Sequence, residues 1–235
     1  MEHQESWIAP PRDDGPLVVS VWGGKGGITK STVAFLSAYM LGQLGPTLLI
    51  NADSKQTDGG VTEMAQNLAV PIPFELTESD DPAELHSVRQ MTQFRYVVTD
   101  NGPHRDLEKI RAAADGDLTI VPLMPERSVS KAVMGSIRDH LSPMGANYRI
   151  LLSKVEYTSL GRARQTKTSL RDLGLPVFDT WLRKYGAHEM LDGQPVFLSQ
   201  ELNAYKAAAD AYAMGDELLA ALGEPYKVIR LGAPA

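Results

Sequence analysis

The chain has 235 residues, 43% hydrophobic and 22% charged, with a formal net charge of -6. That length suits one α/β core, and the composition excludes a disordered, collagenous or membrane-embedded chain. Cysteine is absent, which excludes a disulfide framework, a thiolate zinc site, an iron-sulfur cluster and a cysteine nucleophile. The opening Met1-Glu2-His3-Gln4-Glu5 is acidic where a secretory leader is basic. No apolar run reaches the roughly 20 residues that span a bilayer, so a cytoplasmic protein is expected. Charge is unevenly spread: residues 51–117 hold 13 acidic and 6 basic side chains, whereas residues 154–184 hold 7 basic and 3 acidic.

Residues 1–16 mix polar groups with Pro10, Pro11, Gly15 and Pro16, which disfavour both helix and strand ladder, and they read as a flexible arm. The run LVVSVW at 17–22 is apolar and β-branched, the signature of a strand covered on both sheet faces. Beyond the glycines at 23–27, Val33, Leu36, Met40 and Leu44 recur at helical spacing within 31–44. Further strands are predicted at 47–51, 95–99, 118–123 and 148–152, with a weaker one at 177–181. Helices are predicted near 59–68, 82–91, 105–114, 127–141, 162–173 and 200–222. Apolar strands alternating with amphipathic helices imply a doubly wound, mostly parallel sheet with helices on both faces. One domain is expected over 17–222, followed by a fraying tail at 223–235.

Between the first strand and the first helix lies Gly24-Lys25-Gly26-Gly27-Ile28-Thr29-Lys30-Ser31, which fits G-x-x-x-x-G-K-[ST] except for Thr29 in place of glycine. Successive backbone amides opening a helix cradle phosphate oxygens, so the fold is expected to be of the P-loop NTPase type. Gly24, Lys25, Gly26, Gly27, Ile28 and Thr29 form the cradle. Lys30 reaches the β and γ phosphates, Ser31 is a Mg²⁺ ligand, and Thr32 supports the α phosphate. If Thr29 must adopt a positive φ, a β-branched residue costs about 1 to 2 kcal/mol relative to glycine. Either the packed loop absorbs that strain, or the loop has lost affinity.

Two strand ends carry carboxylates. Asn51-Ala52-Asp53-Ser54-Lys55-Gln56 closes the second strand, at the sheet edge where open α/β folds bind ligands. Asp53 there can reach Mg²⁺ or the attacking water, or else serve as a helix cap or turn residue. Tyr96-Val97-Val98-Thr99-Asp100 is an apolar strand ending in aspartate, as a carboxylate holding metal-bound water requires.

Lys25-Gly26-Gly27-Ile28-Thr29-Lys30-Ser31-Thr32 resembles the deviant Walker A box, K-G-G-x-x-K-[ST]-[ST], of the ParA/MinD family of dimeric ATPases. The resemblance implies ATP and Mg²⁺ as cofactors, and Lys25 as the signature lysine that crosses to the partner's ATP phosphates in an ATP-bound homodimer. Asp53 matches the second aspartate of the family's D-x-D-P-Q switch, which positions the hydrolytic water. Asn51 departs from the first aspartate, and Ser54-Lys55 stands where proline is usual. Asn51 keeps an acceptor oxygen, through which water-mediated Mg²⁺ binding can survive with slower hydrolysis. Asp100 resembles the family's strand aspartate, with Gly102 and Pro103 as switch II positions. The segments 114–126 and 163–197 are similar as well, so the likeness spans about 17–221.

The helix near 162–173 places Arg164, Lys167 and Arg171 on one face, with Arg183 and Lys184 following. Solvated surface cations are the bland reading. By resemblance to partition ATPases, the five implicate nonspecific DNA binding by the ATP-bound dimer, salt-sensitive and blind to sequence. The implied protein is a nucleoid-associated ATPase driving plasmid or chromosome segregation, its hydrolysis stimulated by a ParB-like adaptor. Membrane targeting is not expected, because Lys227-Val228-Ile229-Arg230-Leu231 is too short for a basic amphipathic helix. A nucleotide-binding scaffold with little or no turnover is the alternative, suggested by Thr29 and Asn51.

Overall fold

The computed structural model describes residues 8–23, 27, 29–53, 60–103, 106–190 and 192–231, with the side chains of 127–130 outside that description. In chain order the elements are β1 (Leu17–Val21), α1 (Lys30–Gly42), β2 (Thr47–Ala52), α2 (Val61–Gln66), β3 (Glu75–Glu78), α3 (Pro82–Ser87) and β4 (Tyr96–Asn101). They continue as α4 (Leu107–Ala114), β5 (Leu118–Leu123), α5 (Arg127–Ser136), β6 (Tyr148–Val155), α6 (Leu160–Asp172), β7 (Val177–Arg183) and α7 (Ala204–Ala221). The strands form one sheet in the order β3-β2-β4-β1-β5-β6-β7, and every neighbouring pair is parallel.

Helices cover both faces because the strands are apolar on both. In β1, Leu17, Val19 and Val21 enter the core shared with α1 and α7. Val18 points the other way, into a core with Leu85 of α3 and Ala112 of α4. Farther along that second face, Val121, Leu123, Ile150 and Leu152 pack with Val133 of α5 and with Ala163 and Leu170 of α6. The helix α1 is buried on nearly all sides, Thr32 alone being partly exposed between Lys30 and Gly42. Its neighbour α7 comes close because Gly215 carries no side chain: a Cβ there would lie 2.5 Å from the Met40 sulfur.

The sequence reading missed β3, a four-residue edge strand ELTE whose residues are exposed or half-buried. An edge strand with little burial needs no apolar alternation, so none was there to detect. The helix expected over 127–141 is α5 followed by a π-helical turn at Ile137–Leu141.

Residues 8–16 of the expected arm and 223–231 of the expected tail are docked, while 1–7 and 232–235 lie outside the described residues. The Ala9 amide donates to the Leu44 carbonyl at 2.8 Å, and the Arg95 guanidinium donates to the Pro10 carbonyl at 2.8 Å. Gly15, at φ +90°, lies so close to the Arg89 carbonyl that a Cβ would sit 2.2 Å from its oxygen. Prolines forbid a ladder but not packing. At the other end, Glu224 is buried and accepts two bonds of 2.9 Å from Arg95 and one of 3.0 Å from the Tyr96 hydroxyl. Val228 joins the α1–α7 core, and the Leu231 amide donates to the Tyr212 hydroxyl at 2.9 Å.

The β7 edge is closed by carboxylates of α7. Glu217 accepts from the amides of Asp179 and Thr180 at 2.6 Å each, and Asp210 accepts from the Arg183 amide at 3.0 Å. Occupying these donors removes a template for edge-to-edge pairing.

Candidate functional site

The chain steps from β1 to β2 and β3 on one side, returns through β4, and crosses to β5 on the other. The crevice at that reversal lies beyond the strand C-termini. Asp100 sits in register with Val21 of β1 and with Asn51 of β2. Residues of one row share a face, so Asp100 and Asn51 project to the side of Val21, where α1 lies.

Thr29 is the N-cap of α1 and adopts φ 66°, ψ 23°, the left-handed conformation. Its carbonyl accepts from the Val33 amide at 3.0 Å, and its hydroxyl donates to Ser153 Oγ at 2.7 Å. The loop thus keeps at Thr29 the backbone shape that glycine supplies elsewhere, held by a side-chain bond glycine cannot make. Gly27 is also left-handed, at φ 73°. Gly24, Lys25, Gly26 and Ile28 lie outside the described residues.

Lys30 and Ser31 open α1 and are both buried, as are Asp53 and Asp100. Burial lowers the Lys30 pKa, while the charges of Asp100 and Asp53 draw it upward. Burial pushes the Asp100 carboxyl up to about 6, with Ser31 and Lys30 pulling it down and Asp53 adding to the rise. The Ser31 hydroxyl is near enough to act on that carboxylate, yet neither Asp100 oxygen has a partner in full hydrogen-bond geometry. Two orphaned carboxylate oxygens in the interior are costly. Beside a serine hydroxyl they fit a hard, oxygen-seeking divalent cation, bound directly or through water. Among the described residues no group of three or more His, Asp or Glu side chains could hold a metal. The rest of such an ion's shell would have to come from water and phosphate.

Asn51 is hydrogen-bonded within the protein. Its Oδ1 accepts from the Asp53 amide at 3.1 Å, and its Nδ2 donates to Thr62 Oγ1 at 3.0 Å and to Glu78 Oε1 at 3.4 Å. The Thr62 hydroxyl donates to the same Glu78 oxygen at 2.6 Å. The acceptor oxygen expected to support water-mediated metal binding thus also positions the Asp53 backbone. An aspartate at 51 would face Glu78, in register on β3, with two like charges side by side.

A cavity of about 480 Å³ adjoins the loop, its wall including Thr29, Thr32, Met64, Met124, Ser153 and Lys154. Ser153 went unnoticed in the sequence because the predicted strand stopped at 152, one residue short of it. Asn101 was likewise missed: its Nδ2 donates to Thr99 Oγ1 at 2.8 Å and to the Val21 carbonyl at 3.3 Å, tying β4 to β1 beneath the loop. Gly102 is buried and Pro103 exposed.

The five cations expected to form one anion patch are not equivalent. Arg183 makes a bidentate pair with Asp210 at 2.8 and 2.7 Å and is half-buried, so it is withdrawn as an anion contact. Lys167 donates to the Asp179 carbonyl at 2.6 Å and lies over the Trp181 ring. Arg171 pairs with the Asp179 carboxylate, and Lys184 with Glu156 at 3.2 Å. Exposed pairs of this kind are worth about 0 to 1 kcal/mol and exchange readily for another anion. Arg164 is exposed and has no ionic partner among the described residues.

No protein-family model matches the chain. A curated protein of Gloeobacter kilaueensis, described as maintenance of carboxysome distribution protein A, is 30% identical over 211 residues, covering 88% of this chain and 96% of the relative. The cell division protein MinD of Aquifex aeolicus superposes with a TM-score of 0.67 at 17% identity, covering 90% of this chain and 99% of MinD. An ATP complex of Cyanothece McdA gives 0.61 at 14% identity, with coverages of 92% and 100%. A plasmid partition protein of Borrelia burgdorferi bound to AMPPNP gives 0.60 at 15%, with coverages of 84% and 96%. The solved structures share the fold, and the Gloeobacter relative shares the sequence along most of both chains. The chain therefore belongs to the ParA/MinD family of ATPases.

Proposed function

We propose that this chain is an ATP-driven positioning switch: a homodimer with ATP bound, gripping DNA without reading its sequence, and releasing it when a partner on the cargo stimulates hydrolysis. The observation that carries the reading is the buried Asp100 carboxylate, without hydrogen-bond partners and placed among Ser31, Lys30 and Asp53 beneath a phosphate loop. A divalent cation at Asp100 and Ser31, with a phosphate on Lys30, would offset these buried charges.

In this reading the amides of 24–29 and the N-terminus of α1 bind the phosphates. Lys30 neutralises their charge, Ser31 and Asp100 hold Mg²⁺, and Lys25 reaches the partner's phosphates. The bound metal supplies charge neutralisation at the phosphoryl oxygens. Asp53, its backbone held by Asn51, orients the attacking water. The cavity beside Thr32 takes the nucleoside. Arg164, with Lys167, Arg171 and Lys184 once freed from their present partners, contacts DNA phosphates. Nothing membrane-spanning enters the scheme, and no described helix is long and apolar enough to cross a bilayer. The names of the Gloeobacter relative and the Borrelia neighbour support a cargo-positioning role, with an adaptor of ParB type linking the switch to its cargo.

The test is ATP turnover with and without DNA, together with gel filtration in ATP and Mg²⁺. Dimerisation on ATP with slow, DNA- or partner-stimulated hydrolysis is expected. Absence of nucleotide binding would overturn the reading. A second reading, a scaffold that binds ATP and dimerises with little turnover, is favoured by Asn51, whose side chain is spent on structure. A dimer that never hydrolyses ATP, even with cell extract added, would select it.

A further inference from the structure

We infer that Ser153 is a positioning residue for the bound nucleotide, acting through Thr29 to hold the phosphate loop in its binding shape. The inference rests on the reading of that loop as an ATP site. Thr29 stands in a left-handed conformation that β-branched residues disfavour, at φ 66°. Its hydroxyl is tied to Ser153 Oγ by a 2.7 Å bond. Ser153 is fully buried and Thr29 partly so.

The β6 strand is built to make this contact. Between Leu152 and Val155 it spends one more residue than β7 does between Trp181 and Arg183, a β-bulge. The extra residue is Lys154, itself left-handed at φ 48°. Up to the bulge, side chains alternate: Leu151 enters the core with α1, and Leu152 the opposite core. Ser153 then returns to the side of α1 and meets the loop. Simple alternation would send Val155 to that same side, yet it packs in the opposite core with Leu152. The bulge therefore turns the chain away just after Ser153 and throws Lys154 out to the cavity. Bulges beside active sites serve to aim side chains in this way. Thr29 and Ser153 line the same cavity, so the latch joins the phosphate loop to the wall proposed to take the nucleoside.

The test compares wild type, Ser153→Ala, Thr29→Gly and the double variant, by titration with a fluorescent ATP analogue in Mg²⁺ and by steady-state kinetics. Losing the bond should weaken nucleotide binding about 5- to 10-fold in Ser153→Ala, seen in KM more than in kcat. With glycine at 29 the turn forms unaided, so adding Ser153→Ala should change affinity by less than about twofold. An equal loss in both backgrounds, or no loss in either, overturns the inference, as does an affinity loss that merely follows a fall in thermal midpoint. Wild type that binds no ATP would sink the ATP reading and this inference with it. Wild type that binds ATP and ignores Ser153→Ala would sink this inference alone.

Discussion

Asp100→Asn should make the nucleotide-free protein more stable while destroying its function. The Asp100 carboxyl rises from 3.8 to about 6, chiefly through burial. A carboxyl raised in the folded state binds more protons there than in the unfolded chain between those two values. Its cost is absent below pH 4, grows as pH rises, and is complete above about pH 6. A rise of about two units corresponds to about 3 kcal/mol at pH 7.5, and because the group is buried little of this is lost to screening. Asparagine mimics the neutral acid in shape and is spared that cost. For a domain of this size the gain amounts to a rise of about 5 to 10 °C in Tm. Thermal unfolding by circular dichroism, without nucleotide or Mg²⁺, should show this difference at pH 7.5 and show it shrinking below pH 4.5. With Mg²⁺ and ATP the order should reverse, because only the wild type gains from the ligand. An equal or lower Tm for Asp100→Asn at pH 7.5, or a difference independent of pH, would refute the claim that an uncompensated carboxylate occupies this site.

Asp53→Ala should retain ATP binding and dimerisation but lower kcat about 100-fold or more, measured by phosphate release. Arg164→Ala should leave Tm unchanged and reduce the slope of log affinity for DNA against log salt by about 1; Arg183→Ala should instead lower Tm, because it strands the Asp210 carboxylate. Glu224→Gln should cost about 3 kcal/mol in urea unfolding by breaking the buried Arg95 ion pair; no loss would count against the docking of this segment. Gly15→Ala should destabilise by about 2 kcal/mol or more, since it combines a positive φ with the Arg89 carbonyl contact.

Much of this protein is legible in its residues taken in order. The apolar strands, the helical spacing and the glycine-rich step before Lys30 need only local rules, because backbone sterics and burial periodicity act within a few residues. Those rules place the loop, the sheet class and Asp100. Other features depend on which distant groups meet. Thr29 looks like a defect until Ser153, 124 positions away, arrives to hold it. Arg183 reads as a free cation until α7 brings Asp210 against it, and Asn51 as a weakened metal ligand until Glu78 and Thr62 claim it. The proline-rich start and the polar tail carry no periodicity, yet Arg95 fastens both by reaching Pro10 and Glu224. Local sequence specifies what a residue can form; the tertiary structure decides which partner it finds, because a hydrogen bond forms only at contact distance and folding alone sets which distant groups meet.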